Sequence, residues 1–311
     1  MSESKPRAVF LGSSEHSARL LAAVLEAEIL DIVAVVTRAE PQGGHRHTQD
    51  TAVVAIAKQA NLPVWRPEKP DDIIPQLKDA NVTVGLLFAY GKILSDELIA
   101  AFPHGIVNVH PSLLPRHRGP SPIETTILAG DTTAGTTVMM ISREMDAGPI
   151  LSQAAFPIDD HISKTELWEK LFHKSLELVV DAIPRYLAGQ LTPTPQPEAG
   201  ITFCKMIRKN DGLVDPQQET AIDLERKVRA YAGWPGVTLN ITLHNKPTQL
   251  RLHSVALAPE CDAKTIGFST QNHALYLTTK DGSLKILSGQ LAGRKIVDSR
   301  DLANIGDLAI A

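Results

Sequence analysis

The sequence predicts an α/β protein: a doubly wound, mostly parallel sheet followed by a small, OB-like C-terminal β-barrel. Three observations carry this expectation. Over the first 187 residues, apolar runs alternate with amphipathic stretches in β–α–β order. A segment with prolines at alternate positions, GQLTPTPQPEAG (189–200), then breaks the pattern. Beyond it the runs are short, alternate apolar with polar, and are separated by turn signals such as HNK and DG. Unbroken apolar runs mark strands buried on both faces, and β–α–β order marks parallel pairing. Alternating runs closed by tight turns mark antiparallel strands.

The elements follow in order. AVFLG (8–12) reads as a strand and SARLLAAVLEAE (17–28) as its helix. DIVAVVT (31–37) precedes a helical TAVVAIAKQA (51–60), and VTVGLLFAY (82–90) precedes SDELIAAF (95–102). GIVNVH (105–110) leads to PIETTILAG (122–130) and then to TTVMMIS (136–142). Residues 163–187 form one long amphipathic helix that closes the first domain, expected over residues 1–188. Residues 189–204 are a Pro-rich linker, since alternate prolines suit neither helix nor sheet. Residues 205–311 carry VTLNITL, TQLRLHSVAL, HALYLTTK and SLKILSGQL, the strands of the expected barrel.

Composition narrows the class. The 311 residues are 43% hydrophobic and 21% charged, ordinary for a globular protein. No apolar run reaches the roughly 18 residues of a membrane span, and the start lacks the apolar core of a secretory leader. Two cysteines, Cys204 and Cys261, are too few for a disulfide framework, so a reducing cytoplasm is expected. The net charge of −4 is unevenly spread: residues 1–187 carry 17 Lys and Arg against 23 Asp and Glu, leaving the remainder mildly basic. That remainder permits a polyanionic partner.

Several cofactor classes are excluded. The first strand-to-helix turn, LGSSEHS (11–17), holds only Gly12 where a dinucleotide fold needs three glycines. No phosphate-binding P-loop motif occurs. GGHRHTQ (43–49) spaces two histidines around Arg46 without a third ligand in view, so a partly basic loop is read there rather than a metal site.

One segment stands out. NVHPSLLPRHRGPSPIE (108–124) places an amide and an imidazole two residues apart at a strand's end. Side chains at i and i+2 share a face, so Asn108 and His110 point the same way. An amide can donate to a developing oxyanion, and an imidazole can take a proton near neutral pH. The alternative reading of the pair is a turn amide and a core histidine. Asp146, after the next strand, is either a turn former before glycine or the carboxylate that fixes the tautomer of His110 and favours its charged form. His104 and His117 read as solvated.

The pieces AYG (89–91), NVHPSLLPRHRGPSPI (108–123), ILAGDTTAGTTVM (127–139) and MDAGPIL (145–151) resemble the 10-formyltetrahydrofolate-dependent formyltransferase family. The resemblance extends from FLGSSEHSARLL (10–21) through the linker to RAYAGWPGV (229–237). It implies the formyltransferase fold, with Asn108, His110 and Asp146 as the catalytic trio. It also implies that Ser112, Leu113, Leu114 and Pro115 contact tetrahydrofolate. The co-substrate would be 10-formyltetrahydrofolate with no metal, and the acceptor the α-amine of initiator methionyl-tRNA. A cytoplasmic monomer with a tRNA-binding C-terminal domain is expected. In that domain Lys205, Arg208, Lys209, Arg226, Lys227 and Arg229 are either tRNA contacts or ordinary solvated charge. The loop TRAEPQGGHRHTQ (37–49), where the family carries a basic segment against the tRNA acceptor end, holds only Arg38 and Arg46 as fixed cations. Relatives that formylate amino-sugar nucleotides share the core motif, so such an acceptor stays open. So do a formyltetrahydrofolate hydrolase and a non-catalytic RNA-binding module.

Overall fold

A computed structural model describes residues 5–38, 50–261, 263 and 265–311. The loop expected to be partly basic therefore lies outside the described residues over 39–49. The chain divides into two compact units. The first comprises residues 1–119, 134–156 and 169–203, and the second 120–133, 157–168 and 204–311.

The first unit is built on a seven-stranded sheet. Its strands are β1 (Arg7–Gly12), β2 (Asp31–Val36), β3 (Val64–Trp65), β4 (Val84–Phe88), β5 (Ile106–His110), β6 (Thr133–Met140) and β7 (Ile150–Pro157). They lie in the order β3-β2-β1-β4-β5-β6-β7. Strands β1 to β5 pair parallel, whereas β6 runs antiparallel to β5. A right-handed β–α–β crossover would have made β6 parallel. The intervening helix, α5 (Pro122–Ala129), belongs to the second unit.

The remaining helices associated with this sheet are α1 (Glu15–Ala27), α2 (Ala52–Gln59), α3 (Ile74–Asp79), α4 (Asp96–Ala100) and α6 (Lys164–Leu187). Local chemistry explains their starts. Ser14 caps α1 by accepting the Ser17 amide at 3.0 Å, and the Ser17 hydroxyl donates to the Phe88 carbonyl at 2.6 Å, tying the helix to the end of β4. This is why the turn has glycine at position 12: a Cβ there would collide with Ser17 and Phe10. Ser95 caps α4 in the same manner through the Leu98 amide. Leu171, Ser175, Val179, Ala182 and Ile183 form the buried stripe of α6, the spacing of an amphipathic helix. Val9, Leu11, Val36, Leu77, Leu98, Phe102 and Ile106 build one continuous core beside the strands. Each such side chain contributes about 1.5–3 kcal/mol by leaving water.

The second unit adds α7 (Ala221–Ala230), β8 (Val237–Leu243), β9 (Lys246–Leu257), β10 (Gly267–Gln271), β11 (Ala274–Thr278), β12 (Ser283–Leu291), β13 (Ile296–Asp298), α8 (Ser299–Ala303) and β14 (Leu308–Ile310). Its strands are antiparallel in the order β10-β11-β12-β9-β8-β14, with β13 beside β12. The two ends, β10 and β14, approach each other, so the sheet is a nearly closed barrel. Two hairpins turn on consecutive residues of positive φ, His244–Asn245 and Asn272–His273. Turns of that hand match the twist of the flanking strands. Among the described residues no helix is long and apolar enough to cross a membrane.

Candidate active site

Strand β5 is buried along its whole length and ends in the two polar side chains singled out above. Asn108 and His110 are 6% and 5% exposed. They share one face of the strand, with Asn108 opposite Met139 and His110 opposite Thr137 on β6. Among the described residues, no group hydrogen-bonds the side-chain amide of Asn108. Its polar atoms are not among the fully enclosed ones, so the amide is open to a ligand oxygen, which would take the place of water.

His110 is held from both sides. Its Nε2 lies 3.0 Å from the carbonyl oxygen of His117. A carbonyl only accepts, so Nε2 carries the proton and Nδ1 presents its lone pair. Nδ1 faces Asp146, with Oδ2 at 3.6 Å. That separation is beyond a hydrogen bond. The His117 carbonyl favours the tautomer with its proton on Nε2, and Asp146 acts on the ring through its charge. Burial lowers the His110 pKa below its ordinary value of 6.5, and the His117 ring lowers it further. The Asp146 carboxylate and the bond to the His117 carbonyl push upward but do not win. A neutral imidazole with an open Nδ1 is the outcome, which is the form a proton acceptor requires.

Asp146 occupies the turn after β6 with a φ of 51°, in the left-handed region that aspartate tolerates better than most residues. Its Oδ2 accepts the Gly119 amide at 2.8 Å. Two residues on, Gly148 passes so close to Met140 that any Cβ would be driven into the Met140 carbonyl oxygen. The Asp-Ala-Gly spacing thus has a steric origin as well as a chemical one.

The four residues that the resemblance assigned to folate lie just beyond β5, and much of their polar capacity is used internally. The Ser112 hydroxyl donates to the Arg116 carbonyl at 2.7 Å. The hydroxyl of Thr137 donates to the Ser112 carbonyl at 2.7 Å and accepts the Leu114 amide at 3.2 Å. Gln153 donates to the Leu114 carbonyl at 2.8 Å. Leu113 packs on Gly135, and Leu114 is buried. This is a rigid wall, with Pro115 at its end.

His117 departs from its expected place. It is 5% exposed, adopts a φ of 57°, and donates its backbone amide to Thr202 at 2.8 Å. Its neighbours Arg116 and Arg118 suggested solvent, but the loop folds inward to meet residues 202–203, and Arg118 is 8% exposed with it. His104 is exposed as expected.

Residues 6–183 match the formyl transferase domain, and residues 206–306 match the formyl transferase C-terminal domain. A methionyl-tRNA formyltransferase of Roseiflexus castenholzii is 35% identical, covering 95% of this chain and 94% of its own. The one from Magnetococcus marinus is 34% identical over 94% and 93% of the two chains. The chain belongs to the methionyl-tRNA formyltransferase family. Solved structures share the formyltransferase fold. HypX from Aquifex aeolicus, in complex with tetrahydrofolic acid, has a TM-score of 0.64 at 17% identity, covering 99% of this chain and 51% of its own. An N-formyltransferase of Helicobacter canadensis, in complex with folinic acid and dTDP-3-aminofucose, has 0.67 at 15%, covering 90% and 98%.

In the C-terminal unit of this formyltransferase the six basic residues noted earlier divide into two groups. Lys227 is paired with Glu219 at 2.5 Å. Arg229 forks onto Glu225 at 2.6 and 2.7 Å and donates to the Ile162 carbonyl. Arg226 lies against Gly130. Lys205, Arg208 and Lys209 are exposed. Among the described residues no group of three His, Cys, Asp or Glu is arranged to hold a metal.

Proposed function

We propose that the protein transfers the formyl group of 10-formyltetrahydrofolate to the α-amine of initiator methionyl-tRNA, in the cytoplasm, for translation initiation. The observation that carries this reading is the unbonded, buried Asn108 amide on the same strand face as His110, whose Nδ1 looks toward Asp146. In this reading residues 1–188 perform the chemistry, residues 189–204 link, and residues 205–311 hold the tRNA as a monomeric enzyme.

The acceptor α-amine has an ordinary pKa of about 7.7–8, so a useful fraction is neutral at physiological pH. As it adds to the formyl carbon, Asn108 donates to the oxygen on which charge develops; one such donor is worth about 3 kcal/mol. His110 takes the proton from the attacking nitrogen at Nδ1 and returns it to the departing folate nitrogen. Protonated Nδ1 then faces the Asp146 carboxylate, which stabilises the imidazolium while the His117 carbonyl keeps the ring from turning. The Ser112, Leu113, Leu114 and Pro115 wall presents a fixed surface to the folate rather than a set of free hydrogen-bonding groups.

The test is a purified-protein assay with 10-formyltetrahydrofolate and two acceptors, initiator methionyl-tRNA and an amino-sugar nucleotide. Formyl-methionyl-tRNA as the product, with the sugar unmodified, is expected. Formylation of the sugar, or formate release without an acceptor, contradicts the reading.

A further inference from the structure

The Pro-rich segment 189–200 holds one side chain that the chemistry above does not use, and it makes four short contacts. Gln196 donates from Nε2 to the carbonyl oxygen of Asp146 at 2.8 Å and to that of Gly148 at 2.8 Å. Its Oε1 accepts from Arg118 Nε at 3.1 Å and Nη2 at 2.7 Å. The adjoining residue pair Thr194 and Ile150 exchange both backbone hydrogen bonds, at 2.7 and 2.8 Å, which fixes the height of Gln196 along the chain. All of these residues lie in the first compact unit.

The position of each partner gives this arrangement its meaning. Asp146 sits in a left-handed conformation, which costs on the order of 1 kcal/mol and persists only where surroundings hold it. Gln196 grips the two carbonyls that flank its turn. Arg118, on the other side of the amide, follows directly on His117, whose carbonyl sets the His110 tautomer. Gly119, next in line, donates to the Asp146 carboxylate. One amide therefore ties together the two loops that approach the imidazole from opposite sides, the turn carrying its charge partner and the loop carrying its tautomer-fixing carbonyl.

We infer that Gln196 is a positioning residue for formyl transfer, holding Asp146 and the His117–Gly119 loop in register on His110. The inference rests on the catalytic role proposed for His110 and Asp146. Gln196 has no contact with reacting atoms and acts through the turn it grips. The titratable groups facing the His110 ring are Asp146 from the turn and His117 from the loop. Asp146 raises the ring's affinity for a proton, so a turn that drifts away leaves the imidazole less basic.

Two substitutions separate this role from a structural one. Gln196→Glu keeps an acceptor for Arg118 but turns oxygen toward the two carbonyls. Gln196→Met keeps the length and loses both sets of bonds, and serves if the first variant folds poorly. For each, kcat is expected to fall by about 10²-fold, the effect of a misplaced catalytic group. KM for the folate stays near the wild-type value. In the uncharged Gln196→Met variant the pKa of the His110 ring, followed by NMR of labelled imidazole, falls below that of the wild type, whereas Gln196→Glu adds a carboxylate near the turn and is read by kcat and KM alone. The ring titration needs no acceptor, so it reports on the clamp whichever amine is formylated, while the wild-type acceptor assay reports separately on the proposed reaction. An unchanged ring pKa in folded Gln196→Met overturns the inference. So does a kcat loss matched by an equal fall in thermal stability with no change in ring titration.

Discussion

Asn108 is a buried amide that spends none of its hydrogen-bonding capacity on the protein, and that makes it the most informative side chain of the site. Its neighbour His110 is the opposite, committed at Nε2 and open at Nδ1. Because its pKa is lowered, the imidazole is neutral at physiological pH, and the ring's own acid limb should lie below 6.5, apart from the loss of neutral acceptor amine that sets in near about 7.7–8. The acid limb of the pH–rate profile measures this. Asp146 is an upward influence on that pKa, so Asp146→Asn should move the acid limb to still lower pH while kcat drops by 10²-fold or so, as for loss of proton-transfer catalysis. An acid limb that rises in the variant would contradict this account. Gly148→Ala should cost at least about 2 kcal/mol of stability, since the new methyl meets the Met140 carbonyl in a packed turn; a chemical denaturation curve checks it.

At the scale of elements, β5 and β6 and the segments that follow them assemble the site. Thr137 on β6 cross-links the wall at Ser112 and Leu114 and also accepts from Gln153. Thr137→Val keeps the shape and leaves several buried groups unpaired, at about 1–3 kcal/mol. KM for the folate should rise while the pH profile holds, as measured by steady-state kinetics; a shifted profile with unchanged KM would place the hydroxyl's role elsewhere. This is also the scale at which sequence reading succeeded and failed. The β5 pair was legible because i and i+2 on a strand must share a face, whatever the fold. The inward turn of His117 was not, since it depends on a loop meeting Thr202, 85 positions along. Gln196 was hidden for the same reason, its partners lying 48 and 50 positions upstream. The helix α7 escaped notice because half its residues are polar and its apolar stripe is short. Antiparallel β6 was unreadable because nothing in PIETTILAG says which unit the helix serves.

For the whole molecule, the proposal assigns the chemistry to the N-terminal domain and the tRNA to the C-terminal one. The basic residues of the second unit should then behave in two ways. Lys205, Arg208 and Lys209 are exposed, and their replacement by Gln should raise KM for methionyl-tRNA and flatten its salt dependence, since phosphate contacts release counterions. Arg229, 15% exposed in its side chain and forked onto a Glu225 that is 6% exposed, is structural. Arg229→Gln leaves a buried carboxylate and should cost about 3 kcal/mol of stability, with the salt dependence of binding intact. Filter-binding at several salt concentrations and thermal melts distinguish the two groups.

The account turns on Asn108 and His110 meeting one formyl group, and single-turnover transfer by their alanine variants tests it most directly. With 10-formyltetrahydrofolate and methionyl-tRNA both saturating, each of Asn108→Ala and His110→Ala should slow the chemical step by about 10²-fold or more while folate binding holds. A rate within a few-fold of wild type for either folded variant would contradict it.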